Sequence, residues 1–232
     1  MYHQNCPAHG RCSAEPQGCA KQCGWYNRLF HQYQLSEIPR LYRGAWFRRW
    51  EPGSQNMAAV RRVAQWVENF EEFMHEGCNV YLYPGQRDSS GGTGLGKTYT
   101  AAILANEFIF SQVKHVADTQ LVQFWSVPDA LGRMRDTFNN PDSDFMYRWR
   151  NSVSVPLLIL DDIGAEKPSE WVQEQLTWLI NERVNHGHTT IYTSNYSLAE
   201  LEGRLGPRLV SRIHHNLVAI PYYGTDRRRT SG

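Results

Sequence analysis

The stretch Gly91-Gly92-Thr93-Gly94-Leu95-Gly96-Lys97-Thr98 constrains this chain more than any other. It fits the pattern G-x-x-x-x-G-K-[ST], in which small residues let consecutive backbone N–H groups point inward at phosphate oxygens. A helix following the loop adds the positive end of its dipole at the same place. Lys97 then reaches the β- and γ-phosphates of a nucleotide, and the Thr98 hydroxyl can bind Mg²⁺. The pattern needs a strand before it and a helix after it. Val80–Tyr83 reads as a short strand, and Lys97–Phe110 as a helix with Ala101, Leu104, Ala105 and Phe108 on one stripe. Between strand and loop, Pro84–Ser90 reads either as a longer strand exit or as a small surface excursion.

A second chemical element lies 64 residues beyond Lys97. Val155–Leu160 is a near-continuous apolar run, as expected of a strand buried on both faces of a parallel sheet, and it ends in Asp161-Asp162. Open α/β sheets bind ligands at strand C-terminal ends, so this pair should face the phosphate loop. Asp161 is placed to hold the Mg²⁺ that bridges nucleotide phosphates, and Asp162 to orient or deprotonate an attacking water. Thr189–Ser194 reads as another strand with Asn195 at its tip, where an amide can meet a γ-phosphate or a water.

The remaining elements are simpler. Asn56–His75 reads as one amphipathic helix, Gln120–Trp125 as a strand, and Pro128–Phe138 and Ser169–His186 as helices. Ser197-x-x-Glu200 has the form of a capping box. Arg204, Arg208 and Arg212 follow, then Arg227-Arg228-Arg229; they are either solvated surface or groups that stabilise phosphoryl-transfer charge.

At 232 residues the chain suits one α/β domain, here 56–232, plus a small appendage. A net charge of +1 means that any nucleic-acid contact must come from local patches. No apolar run is long enough to span a membrane, and residues 1–25 lack the apolar region of a signal peptide, so a cytoplasmic protein is expected. Residues 1–36 carry Cys6, Cys12, Cys19 and Cys23 but too few large apolar residues for a core of their own. Four thiolates around Zn²⁺ would supply the missing folding energy, with His9 as an alternative ligand. Residues 37–55 form a linker in which Arg40, Arg43, Arg48 and Arg49 alternate with Tyr42, Trp46, Phe47 and Trp50. That composition either stacks on single-stranded nucleic acid or packs across the main domain, the second reading being favoured.

Over roughly residues 38–228 the chain resembles AAA+ ATPases of the DnaC/DnaI/IstB group, the bacterial and phage helicase loaders and their transposon-borne relatives. The likeness rests on the phosphate loop running into Lys97-Thr98-Tyr99-Thr100-Ala101-Ala102-Ile103, and on Leu158-Ile159-Leu160-Asp161-Asp162-Ile163-Gly164-Ala165-Glu166. It rests also on Thr193-Ser194-Asn195, on Arg208-Leu-Val-Ser-Arg212 and on Gly224-Thr-Asp-Arg-Arg228. The resemblance implies a three-layer P-loop NTPase domain with a parallel five-stranded sheet, and ATP with Mg²⁺ as its ligands. It implies Asn195 as a sensor, Arg212 as the finger reaching the next subunit's ATP with Arg208 beside it, and Arg228 as a second sensor. The sequence ends four residues after Arg228, so no helical lid is expected, and nucleotide should be held best between subunits of a homo-oligomer. The cysteine cluster resembles the zinc-bearing N-terminal module of DnaI-like loaders, which docks on the replicative helicase. The implied function is an ATPase that binds the replicative DNA helicase and places it on single-stranded DNA. Two alternatives stand beside it: an IstB-like ATPase assisting a transposase, and a nucleotide-gated adaptor with little hydrolysis, because Asp162 is one methylene shorter than Glu.

Overall fold

Alternation along the strands decides how this chain layers. Val80 and Leu82 point to one side of the sheet and Tyr81 to the other; Leu157 and Ile159 are matched by Leu158 and Leu160, and Ile191 by Tyr192, all fully buried. Sequences apolar on both faces can only be satisfied between two layers of helices. The computed structural model, which describes residues 24–86, 92–113, 119–137 and 141–224 (with nothing said of the Trp25 side chain), has that arrangement.

The described residues form a five-stranded sheet in the order β2-β3-β4-β1-β5. The strands are β1 (Asn79–Pro84), β2 (Val122–Ser126), β3 (Leu157–Asp161), β4 (Thr189–Thr193) and β5 (Leu217–Tyr222), and every pairing is parallel. One face carries α1 (Gly24–Leu35), α2 (Met57–Glu68), α3 (Phe70–His75) and α4 (Lys97–Gln112). The other carries α5 (Val127–Asp136), α6 (Ser143–Asn151), α7 (Glu170–Asn185), α8 (Leu198–Leu205) and α9 (Pro207–Ile213). No helix among the described residues is long and apolar enough to cross a membrane.

The structure corrects two expectations and adds two elements. The amphipathic run at 56–75 is two helices rather than one. Asn69 leaves the helical region at φ −125°, ψ 34°, and its side-chain amide donates to the Gln65 carbonyl at 2.8 Å, closing α2 before α3 starts. Helix α4 is apolar all round, not along one stripe: Ala101 through Ala105 are each fully buried. Its second face is covered by residues 37–55, which form a strap across it. Asn106 donates to the carbonyls of Tyr42 and Ala45, both at 2.8 Å, and the Glu107 carboxylate accepts the Phe47 N–H at 3.0 Å. Trp46 is buried edge-on against Phe110. Finally, α6 and β5 were not legible from periodicity. Helix α6 mixes arginines with its apolar residues, and β5 is an edge strand whose second face is half wet.

The packing also runs across the boundary drawn at residue 36. Leu29 and Tyr33 of α1 belong to the same core as Val80 and Ile103, and the Gln32 side chain bonds Leu121 N–H and Thr119 O. The cysteines and His9 lie outside the described residues.

One buried charge stitches the second layer together. Arg183 of α7 is fully buried and donates to the carbonyls of Ser152, Val153, Val155 and Thr189 and to the Thr190 hydroxyl. It thereby fixes the turn that feeds β3 against the start of β4. Burial pulls its guanidinium down to about 9 from an ordinary 12.5. Arg183→Leu strands several buried carbonyls at about 1–3 kcal/mol each. The expected loss is at least about 3 kcal/mol, read as a fall of about 6–12 °C in thermal midpoint.

Candidate nucleotide-binding site

The strand order sets the site. Strand β4 runs between β1 and β3, so the C-terminal ends of three parallel strands converge at one edge. From β1 comes the phosphate loop, from β3 Asp161-Asp162, and from β4 Thr193 and Asn195. The acidic strand is therefore one strand removed from the loop strand, with the amide-bearing strand between them.

The loop is shaped by glycine where nothing else fits. Gly92 has φ +79°, and a Cβ there would sit 2.6 Å from the Pro84 side chain, so the loop folds directly back on the strand it leaves. Gly96, at φ +95°, ends the loop as the N-cap of α4. Thr100 then donates to the Gly96 carbonyl at 3.0 Å and accepts from the Tyr222 hydroxyl at 2.7 Å, tying the helix start to β5.

Lys97 is 5% exposed, and its ammonium donates to Gly92 O at 2.6 Å and to Asn195 Oδ1 at 3.0 Å. The Asn195 amide in turn donates to Asp162 Oδ1 at 3.2 Å. Asn195 thus stands between the loop cation and the second carboxylate. Behind them, the Thr193 hydroxyl donates to Asp161 Oδ1 at 2.6 Å and accepts the Asp162 N–H at 2.9 Å. Both acids are held by one side chain of the neighbouring strand. Asp162 pays for its position in backbone conformation, with φ +59° in the left-handed region that non-glycine residues seldom occupy.

The two carboxylates differ in environment. Asp162 lines the cleft, whereas Asp161 is 8% exposed. Burial raises the Asp161 carboxyl to about 6, and the Asp162 charge adds to the rise; the hydroxyls of Thr193 and Thr98 and the charge of Lys97 work against it. A buried carboxylate beside a hydroxyl is an oxygen donor set of the kind hard divalent cations take. The residues present, Thr98 and Asp161, therefore fit Mg²⁺.

The cleft has a volume of about 550 Å³. Its floor is Thr93, Gly94, Leu95, Gly96, Lys97 and Thr98, and Asp162 and Asn195 form one wall. The opposite wall was missed by sequence reasoning: Leu41, Tyr42, Arg49, Trp50 and Glu51 come from the strap. The alternation of arginine and aromatics was the available signal, but only the fold shows that it faces this cleft. Arg208 and Arg212 are exposed on α9, and neither lines the cleft of its own chain. Arg204 is occupied within the fold, bonding the carbonyls of Gly164 and Glu166 and lying over the Tyr196 ring. Gly91 and Arg228 lie outside the described residues.

The sequence model of the IstB-like ATP binding protein family matches residues 69–224, two thirds of the chain and all five strands. The chain belongs to this family. Among its relatives, the replicative helicase loader DnaC of Escherichia coli K12 is 24% identical over 178 residues, covering 76% of this chain and 66% of DnaC. The replicative helicase loader DnaI of Bacillus subtilis is 24% identical over 185 residues, covering 74% of this chain and 54% of DnaI. The chain thus spans roughly half to two thirds of the length of these relatives. The crystal structure of the DnaC helicase loader superposes with a TM-score of 0.63 at 23% identity, covering 80% of this chain and all of that one. The α/β fold with its parallel five-stranded sheet is shared with that structure, as the resemblance implied.

The Asp161 environment yields a stability test of this IstB-like domain. A carboxyl whose pKa is raised on folding destabilises the protein above that pKa, and the penalty shrinks as pH falls from about 6 toward the ordinary 3.8. Asp161→Asn keeps an acceptor for Thr193 and removes the charge. At pH 7.5, without metal or nucleotide, it should gain on the order of 2 kcal/mol, about 4–8 °C in midpoint. Repeating the thermal melts at pH 4.5 should show a smaller gain; a loss of stability at pH 7.5 contradicts the assignment.

Proposed function

We propose that this chain is an ATPase that loads the replicative DNA helicase onto single-stranded DNA, working as a homo-oligomer when ATP is bound. The observation that carries the reading is the convergence of the loop, Lys97, Thr98, Asp161, Asp162 and Asn195 at one sheet edge. The loader role is supported by the relatives named replicative helicase loaders, DnaC and DnaI.

Bound Mg²⁺ and ATP supply the phosphoanhydride and its charge neutralisation; the chain supplies the positioning. Loop amides from Gly91 to Gly96 and the Lys97 ammonium bind the phosphate oxygens. Thr98 and Asp161 would hold the metal. The Lys97 ammonium has three donors and can engage a phosphate oxygen beside its present partners. If it exchanges Asn195 Oδ1 for phosphate, that oxygen is released to accept from a water, while the Asn195 amide N–H can meet a phosphate oxygen. Asp162 orients or deprotonates that water. Arg212, with Arg208 beside it, reaches from α9 of one subunit to the nucleotide of the next, and Arg228 acts as a second sensor. Cys6, Cys12, Cys19 and Cys23, with His9 as the alternative, hold Zn²⁺ in an N-terminal module that docks on the helicase.

The adaptor reading keeps one specific support: the short Asp162 side chain, already bonded to Asn195, gives limited reach toward a water. The transposase reading draws on the family description.

Lys97→Ala should lower ATP affinity at least about a hundredfold in calorimetry, since it removes a charged phosphate ligand from a buried site; unchanged affinity refutes the site. Arg212→Ala should leave ATP affinity intact and reduce turnover at least about tenfold at concentrations that favour assembly. Equal turnover removes its finger role. Capture of a replicative helicase in preference to a transposase from a lysate of the source organism supports the loader reading, and the reverse overturns it.

A further inference from the structure

Glu166 is a buried carboxylate, 6% exposed, with no part in the chemistry assigned above. It accepts the Gly164 N–H, at 3.1 Å on one oxygen and 3.0 Å on the other. Burial pushes its carboxyl above the ordinary value, while its own N–H, the Gly164 N–H and the charge of Arg204 pull it back. Arg204 grips the same turn from α8. Its Nε donates to the Gly164 carbonyl at 2.8 Å and its Nη2 to the Glu166 carbonyl at 3.3 Å. Both polar groups of the Gly164 backbone are therefore held, the N–H by an acid and the carbonyl by a guanidinium.

Gly164 leaves no slack between that turn and α8. At φ +90°, a Cβ there would lie 2.6 Å from Leu201 Cδ1 and 3.2 Å from the Tyr196 ring, so the helix start sits directly on its Cα. The Arg204 guanidinium lies 4.5 Å over the same Tyr196 ring. Tyr196 follows Asn195, and its carbonyl accepts from the Tyr81 hydroxyl at 2.8 Å. One side chain thus joins the turn after β3 to the segment after β4, the two places that supply Asp162 and Asn195.

Asp162 stands two residues before Gly164, at φ +59°, and its carbonyl accepts the Ala165 N–H at 3.1 Å. A residue with a Cβ keeps such a conformation only where its surroundings over-determine it. On the strand side Thr193 holds its N–H and Asn195 its carboxylate. On the outer side the turn is held through Gly164, by Glu166 and Arg204.

We propose that Arg204 is a positioning residue for ATP hydrolysis. It fixes the turn from Asp162 to Glu166 so that the Asp162 carboxylate faces the water it orients, and it does so from outside the cleft, without touching the nucleotide. This rests on the ATPase reading above and adds to it a residue that acts only through the acid.

Arg204→Ala in the full chain, with ATP and Mg²⁺, tests it. ATP affinity in calorimetry and KM should stay within about twofold of wild type, because the phosphate-binding floor is untouched, while kcat falls about ten- to a hundredfold. Arg204→Lys keeps the charge and one donor for the Gly164 carbonyl, and should turn over at least about threefold faster than Arg204→Ala. In an Asp162→Asn background the acid being placed is already gone. There Arg204→Ala should cost less than about threefold in single-turnover hydrolysis. Losses that multiply in the double variant overturn the proposal, as does a fall in ATP-binding stoichiometry that matches the fall in turnover. So does Arg204→Lys no faster than Arg204→Ala, or turnover that Arg204→Ala leaves intact. A wild-type chain that binds ATP and never hydrolyses it instead overturns the ATPase reading, and this role with it.

Discussion

Thr193 places one hydroxyl between the Asp161 carboxylate and the Asp162 backbone N–H, and the site depends on its position. It can donate to Asp161 and accept from the Asp162 backbone only because β4 lies beside β3 in parallel register, with Leu160 opposite Tyr192. The same strand continues to Asn195, which meets Lys97 from the far side. A sheet in sequence order would keep β4 beside β3 but put β2 between β1 and β3, leaving Asn195 on the far side of β3 from the phosphate loop. The insertion of β4 between β1 and β3 is thus the step that turns a phosphate loop and an acidic strand end, 64 residues apart in sequence, into one polar network.

That network is held in a state of opposed tendencies. Burial favours a neutral Asp161, whereas metal binding needs the carboxylate. Asp162 occupies a backbone region better suited to glycine, and Lys97 is bonded to its own loop carbonyl and to Asn195. The Asp161 carboxyl and the Lys97 ammonium have partners that a divalent cation and a triphosphate could exchange, whereas the Asp162 conformation is backbone strain held at the same place.

Much of this arrangement could be read directly from residues. The G-x-x-x-x-G-K-T run, the apolar strand ending in two acids and the capping box at Ser197 carry local signals strong enough to survive any tertiary context, and the box forms with both of its hydrogen bonds. The helix break at Asn69 escaped because the apolar spacing of α2 and α3 continues through it; a side chain that satisfies a carbonyl locally leaves no trace in hydrophobic periodicity. Strand β5 escaped because an edge strand needs only one apolar face, and Pro221 further weakens the pattern. Arg183 looks like any helix-surface arginine in sequence. Its burial follows from the carbonyls that a distant turn happens to present, which no local rule encodes.

The strap illustrates the limit most clearly. Its arginines and aromatics suit two environments, a nucleic-acid strand and a protein surface, and composition cannot separate them. What separates them is α4. A helix with five consecutive fully buried residues, followed by a buried Asn106 and Glu107, must have something to cover its outer face and something to accept its polar groups. Asn106 and Glu107 are matched to backbone groups of Tyr42, Ala45 and Phe47, so the strap is bound through its main chain as well as through the buried Ala45 and Trp46. That leaves the outward side chains free to take on other tasks. Three of them, Leu41, Arg49 and Trp50, line the phosphate-binding cleft, and Arg40 beside them is exposed. A segment anchored by its backbone to the helix that begins at the phosphate loop is therefore mechanically continuous with that loop. A displacement of α4 on nucleotide binding would be transmitted to the strap through three hydrogen bonds of 2.8 to 3.0 Å.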